Sequence, residues 1–207
     1  MAIVYPNATL TPSKRELMDG WLPSRAWFDG NAGRKPVGSF RFDDPAGEVG
    51  MEGFLLGAEG ESTLFLPLTY RGSELEGAEA YLVGKTDHSE LGPRWVYDGC
   101  GDPVFARSLA HAILTGATGV EHEFDLGDGP ESRPTNAQVR GSGSADTDVP
   151  EIDTVSAHDL GPQTIVNAGP LELVVARVVG TDIEAAQTLA VTWKGGSGVP
   201  IAGVRPA

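Results

Sequence analysis

Thr63-Leu64-Phe65-Leu66-Pro67-Leu68-Thr69-Tyr70 is a run of strand-forming residues in which Leu64, Leu66, Leu68 and Tyr70 recur at period two. Successive side chains of a strand point to opposite faces, so these four share one face, which is predicted to be buried. Turn-forming residues lie upstream: Ala58-Glu59-Gly60-Glu61, and before it Asp43-Asp44-Pro45-Ala46-Gly47. They separate two further strand patterns, Ser39–Phe42 and Glu48–Leu56, and the three runs read as an antiparallel meander. Two more strands are predicted downstream, at Ala80–Val83 and Arg94–Tyr97.

Helical patterns bracket the meander. Thr11-Pro12 reads as an N-cap followed by proline at the first helical position. Leu17, Met18, Trp21 and Leu22 then fall on one helical face until Pro23 interrupts it. Asp102-Pro103 opens a second helix in the same way, with Phe105, Leu109, Ala112 and Ile113 as its apolar stripe and Gly116 or Gly119 as its end. The chain's 28 glycines and 15 prolines favour a turn-rich β protein over a helical bundle. The predicted class is α+β, a curved antiparallel sheet with flanking helices followed by a small β-rich C-terminal unit.

The composition changes after residue 125. From Leu126 to Pro150 glycine, serine, aspartate and proline dominate, as in Arg140-Gly141-Ser142-Gly143-Ser144-Ala145, and there is little to bury. Such a stretch reads as a flexible linker or long exposed loop. Beyond it Gln163–Asn167, Leu171–Val179, Leu189–Trp193 and Val199–Val204 are β-like. The expected organisation is therefore 1–125 as an α+β domain, 126–150 as linker and 151–207 as a small β-rich unit.

With a net charge of −14 the surface repels phosphate backbones and anionic lipid, which argues against nucleic acid or a membrane as partner. No stretch approaches the roughly 20 apolar residues of a membrane-spanning helix. The opening Met1-Ala2-Ile3-Val4-Tyr5-Pro6 lacks the basic region of a signal peptide, so a cytoplasmic location is expected. Cys100 is the single cysteine, which excludes an internal disulfide and a paired-cysteine metal site.

Motifs that could carry chemistry read more simply as structure. Gly195-Gly196-Ser197-Gly198 lacks the Gly-Lys-Ser/Thr ending of a phosphate loop and fits a hairpin turn. Glu121-His122-Glu123 with Asp125 gathers metal-capable side chains, but on a strand His122 points away from both glutamates. No His-Glu-x-x-His pattern, no Gly-x-Ser-x-Gly elbow and no base beside Cys100 is present. No catalytic residue, metal ligand or cofactor is expected. Trp27, Trp95 and Tyr97, with Arg25, Arg94 and Asp98, form the one candidate interaction or sugar-stacking surface. Aromatics at these positions more often pack in a core, with the arginines capping them by cation–π contact or by pairing with Asp98.

Several of these segments, in order, resemble the N-terminal cap domain of actinobacterial maltokinases. Trp21-Leu22-Pro23-Ser24-Arg25-Ala26-Trp27-Phe28 is similar to the opening signature of that domain, and Leu66-Pro67-Leu68-Thr69-Tyr70-Arg71-Gly72 to its central strand. Leu75-Glu76-Gly77-Ala78-Glu79 and Leu82-Val83-Gly84 follow the same pattern. The fullest likeness is His88-Ser89-Glu90-Leu91-Gly92-Pro93-Arg94-Trp95-Val96-Tyr97-Asp98-Gly99-Cys100-Gly101-Asp102-Pro103-Val104-Phe105. The resemblance spans roughly residues 10–117. It implies a cystatin-like sheet that carries no catalytic residue and a place in the trehalose–maltose–glycogen route of α-glucan metabolism. It further implies another protein, such as an enzyme of that route, or a second copy of the chain as partner, ahead of a small sugar. Where the resemblance would place a nucleotide-contacting lysine, the chain has Val174, Val175 or Ala176, with Arg177 the nearest basic residue. Its histidines stand in His88-Ser89-Glu90, His111-Ala112-Ile113, His122-Glu123-Phe124 and His158-Asp159-Leu160, none of them a His-x-Asp catalytic loop.

Overall fold

The computed structural model describes residues 3–4, 8–31, 33–125, 130–133 and 135–207, with backbone alone at 3–4, 122–125 and 130–133. In chain order the elements are β1 (Ile3–Val4), β2 (Leu10–Thr11), α1 (Lys14–Trp21), β3 (Lys35–Phe42), β4 (Gly50–Gly57), β5 (Leu64–Arg71), β6 (Leu82–His88), β7 (Gly92–Asp98) and α2 (Pro103–Thr115). They continue with β8 (His122–Asp125), β9 (Pro130–Arg133), β10 (Ala137–Gly141), β11 (Ser156–Leu160), β12 (Gln163–Ala168), β13 (Leu171–Ala176), β14 (Gln187–Trp193) and β15 (Gly196–Pro206). The class is α+β, as predicted. A curled six-stranded antiparallel sheet runs β2-β6-β7-β5-β4-β3, and a second six-stranded antiparallel sheet runs β10-β14-β15-β13-β12-β11.

Strand β5 sits centrally in the first sheet, and both of its faces are covered. Leu64, Leu66 and Leu68 pack with Leu17, Met18 and Trp21 of α1, as the period-two pattern predicts, together with Phe54, Leu56 and Val96. Phe65 points the other way, into a larger core with Phe40, Leu55, Phe105 of α2 and Val175, Leu189 and Ile201 of the second sheet. A strand buried on both faces reads as a continuous apolar run, which is why no polar residue interrupts 64–68.

Helix α1 begins two residues later than the Thr11-Pro12 reading placed it. Thr11 pairs with Asp87 as part of β2. Ser13 is the N-cap: its backbone N–H donates to Glu16 Oε2 at 2.8 Å, and its hydroxyl accepts from the Glu16 N–H at 3.3 Å. Ser13-Lys14-Arg15-Glu16 is a capping box, a stronger start signal than Thr-Pro alone. Helix α2 begins as predicted, with the Asp102 carboxylate accepting from the Val104 N–H at 2.9 Å, and ends at Gly116.

Part of the stretch expected to be a linker is strand. Residues 126–129 and 134 lie outside the described ones, but β10 pairs with β14 from Ala137↔Trp193 to Gly141↔Leu189, burying Ala137, Val139 and Gly141 in alternation. The glycines that read as flexibility answer a close approach instead. A Cβ on Gly141 would fall 1.8 Å from the Ala112 carbonyl oxygen of α2, so no other residue fits there without moving the backbone. The chain continues along the end of α2, where Gly143 N–H donates to the Ile113 carbonyl at 2.9 Å. Residues 117–120 join the sheets by Val120 N–H to Arg41 O and Gly141 N–H to Ala117 O, both 2.9 Å. A second join runs from Phe65 N–H to Arg177 O at 2.9 Å and from Val179 N–H to Thr63 O at 2.8 Å.

Candidate functional site

The six residues singled out from sequence do not form one surface. Trp27 is buried in the α1-side core, with its ring centroid 6.0 Å from that of Trp21. Arg25 lies over the Trp21 ring at 4.5 Å. Tyr97 is buried, and its hydroxyl accepts from the Leu75 N–H at 2.9 Å. Trp95, two positions away on β7, is half-buried beneath the Lys85 ammonium, 5.0 Å from its ring. Arg94 points to the opposite side of that strand and donates to the Leu91 carbonyl at 2.8 Å. A sugar-stacking platform needs coplanar exposed rings; here the alternation of β7 and the packing of α1 hold the rings apart.

Trp27 and Asp98 are nevertheless brought together, by Arg177. This arginine, just past the end of β13, is 0% exposed. It forms a salt bridge with Asp98, which is 5% exposed, donates from Nε to the Thr164 hydroxyl at 2.7 Å and lies 5.1 Å from the Trp27 ring. Burial alone would lower the Arg177 pKa, but the Asp98 carboxylate more than offsets this and holds it above the usual arginine range. Asp98 also accepts from the Cys100 N–H at 3.2 Å, starting the helical turn Gly99–Gly101. Next to it Asp102, fully buried, takes a two-pronged bond from Arg71, Nε to Oδ2 at 2.7 Å and the terminal nitrogen to Oδ1 at 2.6 Å. The Tyr81 ring lies so close to Gly101 that a Cβ there would meet it at 2.0 Å. The Tyr81 hydroxyl goes on to bond both the N–H and the carbonyl of Ala157 on β11, at 2.8 and 3.1 Å. Asp98-Gly99-Cys100-Gly101-Asp102-Pro103 is thus a structural junction between the sheets. Its carboxylates are spent on arginines and helix starts.

Beside Asp98, burial pushes the Cys100 thiol well above its ordinary range. Such a thiol is no nucleophile at neutral pH. Among the described residues no group of three or more His, Cys, Asp and Glu side chains could hold a metal ion. The side chains of His122, Glu123 and Asp125 lie outside the described ones.

The largest departure from the sequence reading is a pocket of about 360 Å³ on the α1 side of the first sheet, just beyond the start of α1. Its floor is Arg41 of β3, Glu52 of β4 and Tyr70 of β5, its roof the Lys14 side chain, and its rim includes Leu10, Leu91 and Arg94. Glu52 is 6% exposed in the middle of the sheet. Its Oε2 is salt-bridged to Lys14, with Arg41 3.6 Å away. The Lys14 ammonium also lies 5.1 Å from the Tyr70 ring and 5.6 Å from that of Phe54. Two donors on the floor, the Tyr70 hydroxyl and Arg41 Nε, are buried without a partner among the described residues. Burial, reinforced by the Glu52 carboxylate, raises the Tyr70 pKa well above its ordinary value, so the phenol keeps its proton. Glu52 sits in an otherwise apolar strand, Gly50-Met51-Glu52-Gly53-Phe54-Leu55-Leu56. A lone carboxylate at an inward position was the available signal, since buried charge needs partners.

Comparison with protein families locates the recognisable part of the chain. Residues 21–102 match the maltokinase N-terminal cap domain. The matched segment runs from the end of α1 through β3 to β7 and on to Asp102, the cap of α2, so it takes in Asp98 and the pocket floor but not Arg177. The resemblance read from the sequence is borne out over residues 21–102. What is matched is a cap domain, not the catalytic kinase domain. No curated protein matches the chain. No helix among the described residues is long and apolar enough to cross a membrane.

Proposed function

We propose that this chain is a non-catalytic, maltokinase-related binding or regulatory module of α-glucan metabolism, acting in the cytoplasm on the trehalose–maltose–glycogen route. The observation that carries the non-catalytic reading is Arg177. Phosphoryl transfer needs a cation free to meet nucleotide phosphates. The one basic residue near the expected lysine position is sealed from solvent against Asp98, Thr164 and the Trp27 ring. An arginine is in any case a poor substitute for a compact ammonium there. The partner implied by the cap resemblance is another protein, such as an enzyme of the same route. With a net charge of −14, a second copy is the weaker candidate. Among the described residues the exposed large hydrophobics are Val37, Leu91 and Leu160, which are scattered, so contact with such a protein would be polar and salt-sensitive. The test is an assay of purified protein with Mg·ATP and maltose, glucose or glucosamine. No sugar phosphate should form above a blank; turnover on the order of 1 s⁻¹ would overturn the proposal.

A further inference from the structure

The geometry points to a binding site for a small, neutral, polyhydroxylated molecule of mono- or disaccharide size in the pocket between Lys14, Arg41, Glu52 and Tyr70. This site is separate from the Arg177 junction, and the inference stands whether or not the chain transfers phosphate.

The pocket volume of about 360 Å³ lies within the range of small-molecule sites. It is also a built site, since its floor holds a nearly sealed carboxylate on β4 paired with Lys14 of α1 and flanked by Arg41 of the neighbouring β3. Among the described residues the buried Tyr70 hydroxyl and Arg41 Nε find no partner, and buried polar groups are nearly always satisfied. Both need an acceptor from whatever fills the pocket. Glu52 poses the reverse demand. A carboxylate offers about four acceptor positions, and among the described residues Lys14 and the more distant Arg41 are the ones that engage its Oε2. Groups that give and receive hydrogen bonds within one small volume are met most simply by hydroxyls.

Charge decides against ionic ligands. The lining carries Lys14, Arg41 and Arg94 against Asp43, Asp44, Glu48 and Glu52, so an anion meets carboxylates and a cation meets fixed positive groups. Asp44 is already committed to its own turn, accepting from the N–H groups of Ala46, Glu48 and Val49 at 3.0 Å each. The apolar side chains left at the rim, Leu10 and Leu91, suit the C–H faces of a sugar ring. The Tyr70 face itself is already occupied by Lys14, so recognition here would run through hydrogen bonds rather than ring stacking.

The test is a ¹H–¹⁵N NMR titration of the intact chain with glucose, maltose and trehalose, and with inorganic phosphate and choline as ionic probes. At least one sugar should give saturable shifts clustered on residues 41–52, 70 and 88–94, while phosphate and choline give none. Tyr70→Phe removes only an oxygen without a protein partner, so the variant should melt like the parent and bind that sugar about ten-fold more weakly. Absence of saturable shifts up to tens of millimolar sugar would overturn the inference, as would shifts that map elsewhere or are unchanged in Tyr70→Phe. Saturation of this pocket by phosphate or choline would overturn the ligand class.

Discussion

Replacing Arg177 by Met should be among the most damaging single changes the chain can suffer. Methionine keeps much of the side-chain length and removes the charge, leaving Asp98 at 5% exposure with the Cys100 N–H, at 3.2 Å, as its remaining hydrogen bond. Removing one partner of a buried ion pair costs about 3–5 kcal/mol, chiefly because the other charge is stranded. The Thr164 hydroxyl and the Trp27 ring lose their cation as well. For a chain of this size, about 2–4 °C per kcal/mol gives a drop in Tm of roughly 6–20 °C. The assay is thermal and urea denaturation of Arg177→Met, Asp98→Asn and the double variant. Because the penalty comes from an unpaired charge rather than a missing attraction, the double variant should be far less destabilised than the sum of the singles. A cost below about 1 kcal/mol for Arg177→Met, or strict additivity, would refute the argument that this pair holds the sheets together.

Three further outcomes follow from the packing. Leu66→Ala and Phe65→Ala should both be costly, about 2–5 and 3–5 kcal/mol by urea melts, because each side chain is fully buried in a different core; a neutral result for either would mean that its face is open. Trypsin should leave the Arg140–Gly141 bond of the native protein intact, since β10 is paired to β14 on one side and bridged to Thr118 on the other. Early cleavage there would restore the linker reading. Cys100 should resist a thiol-specific disulfide reagent up to mildly alkaline pH and react stoichiometrically once unfolded, because burial raises its pKa in the folded state; rapid labelling of native protein would contradict its placement.

The sequence disclosed more of the fold than of the site, and the reason differs residue by residue. Period-two leucines in β5, the Asp102-Pro103 helix start and the strand patterns after residue 160 are local signals, and all three are where the spacing put them. β10 was hidden because its buried positions are Ala137, Val139 and Gly141, small residues chosen to pass close under α2. Composition alone cannot tell a glycine required by a close approach from one that frees the chain. The Asp98–Arg177 pair joins residues 79 apart in sequence, and no periodicity reaches that far. The pocket was hidden for a related reason: Lys14, Glu52 and Tyr70 come from a helix and two strands and meet only through strand register. Glu52 stands alone among apolar residues at an inward position of an interior strand, and a carboxylate sealed there must find cations. Lys14 at the start of α1 supplies one of them, beside the uncovered part of the same sheet face.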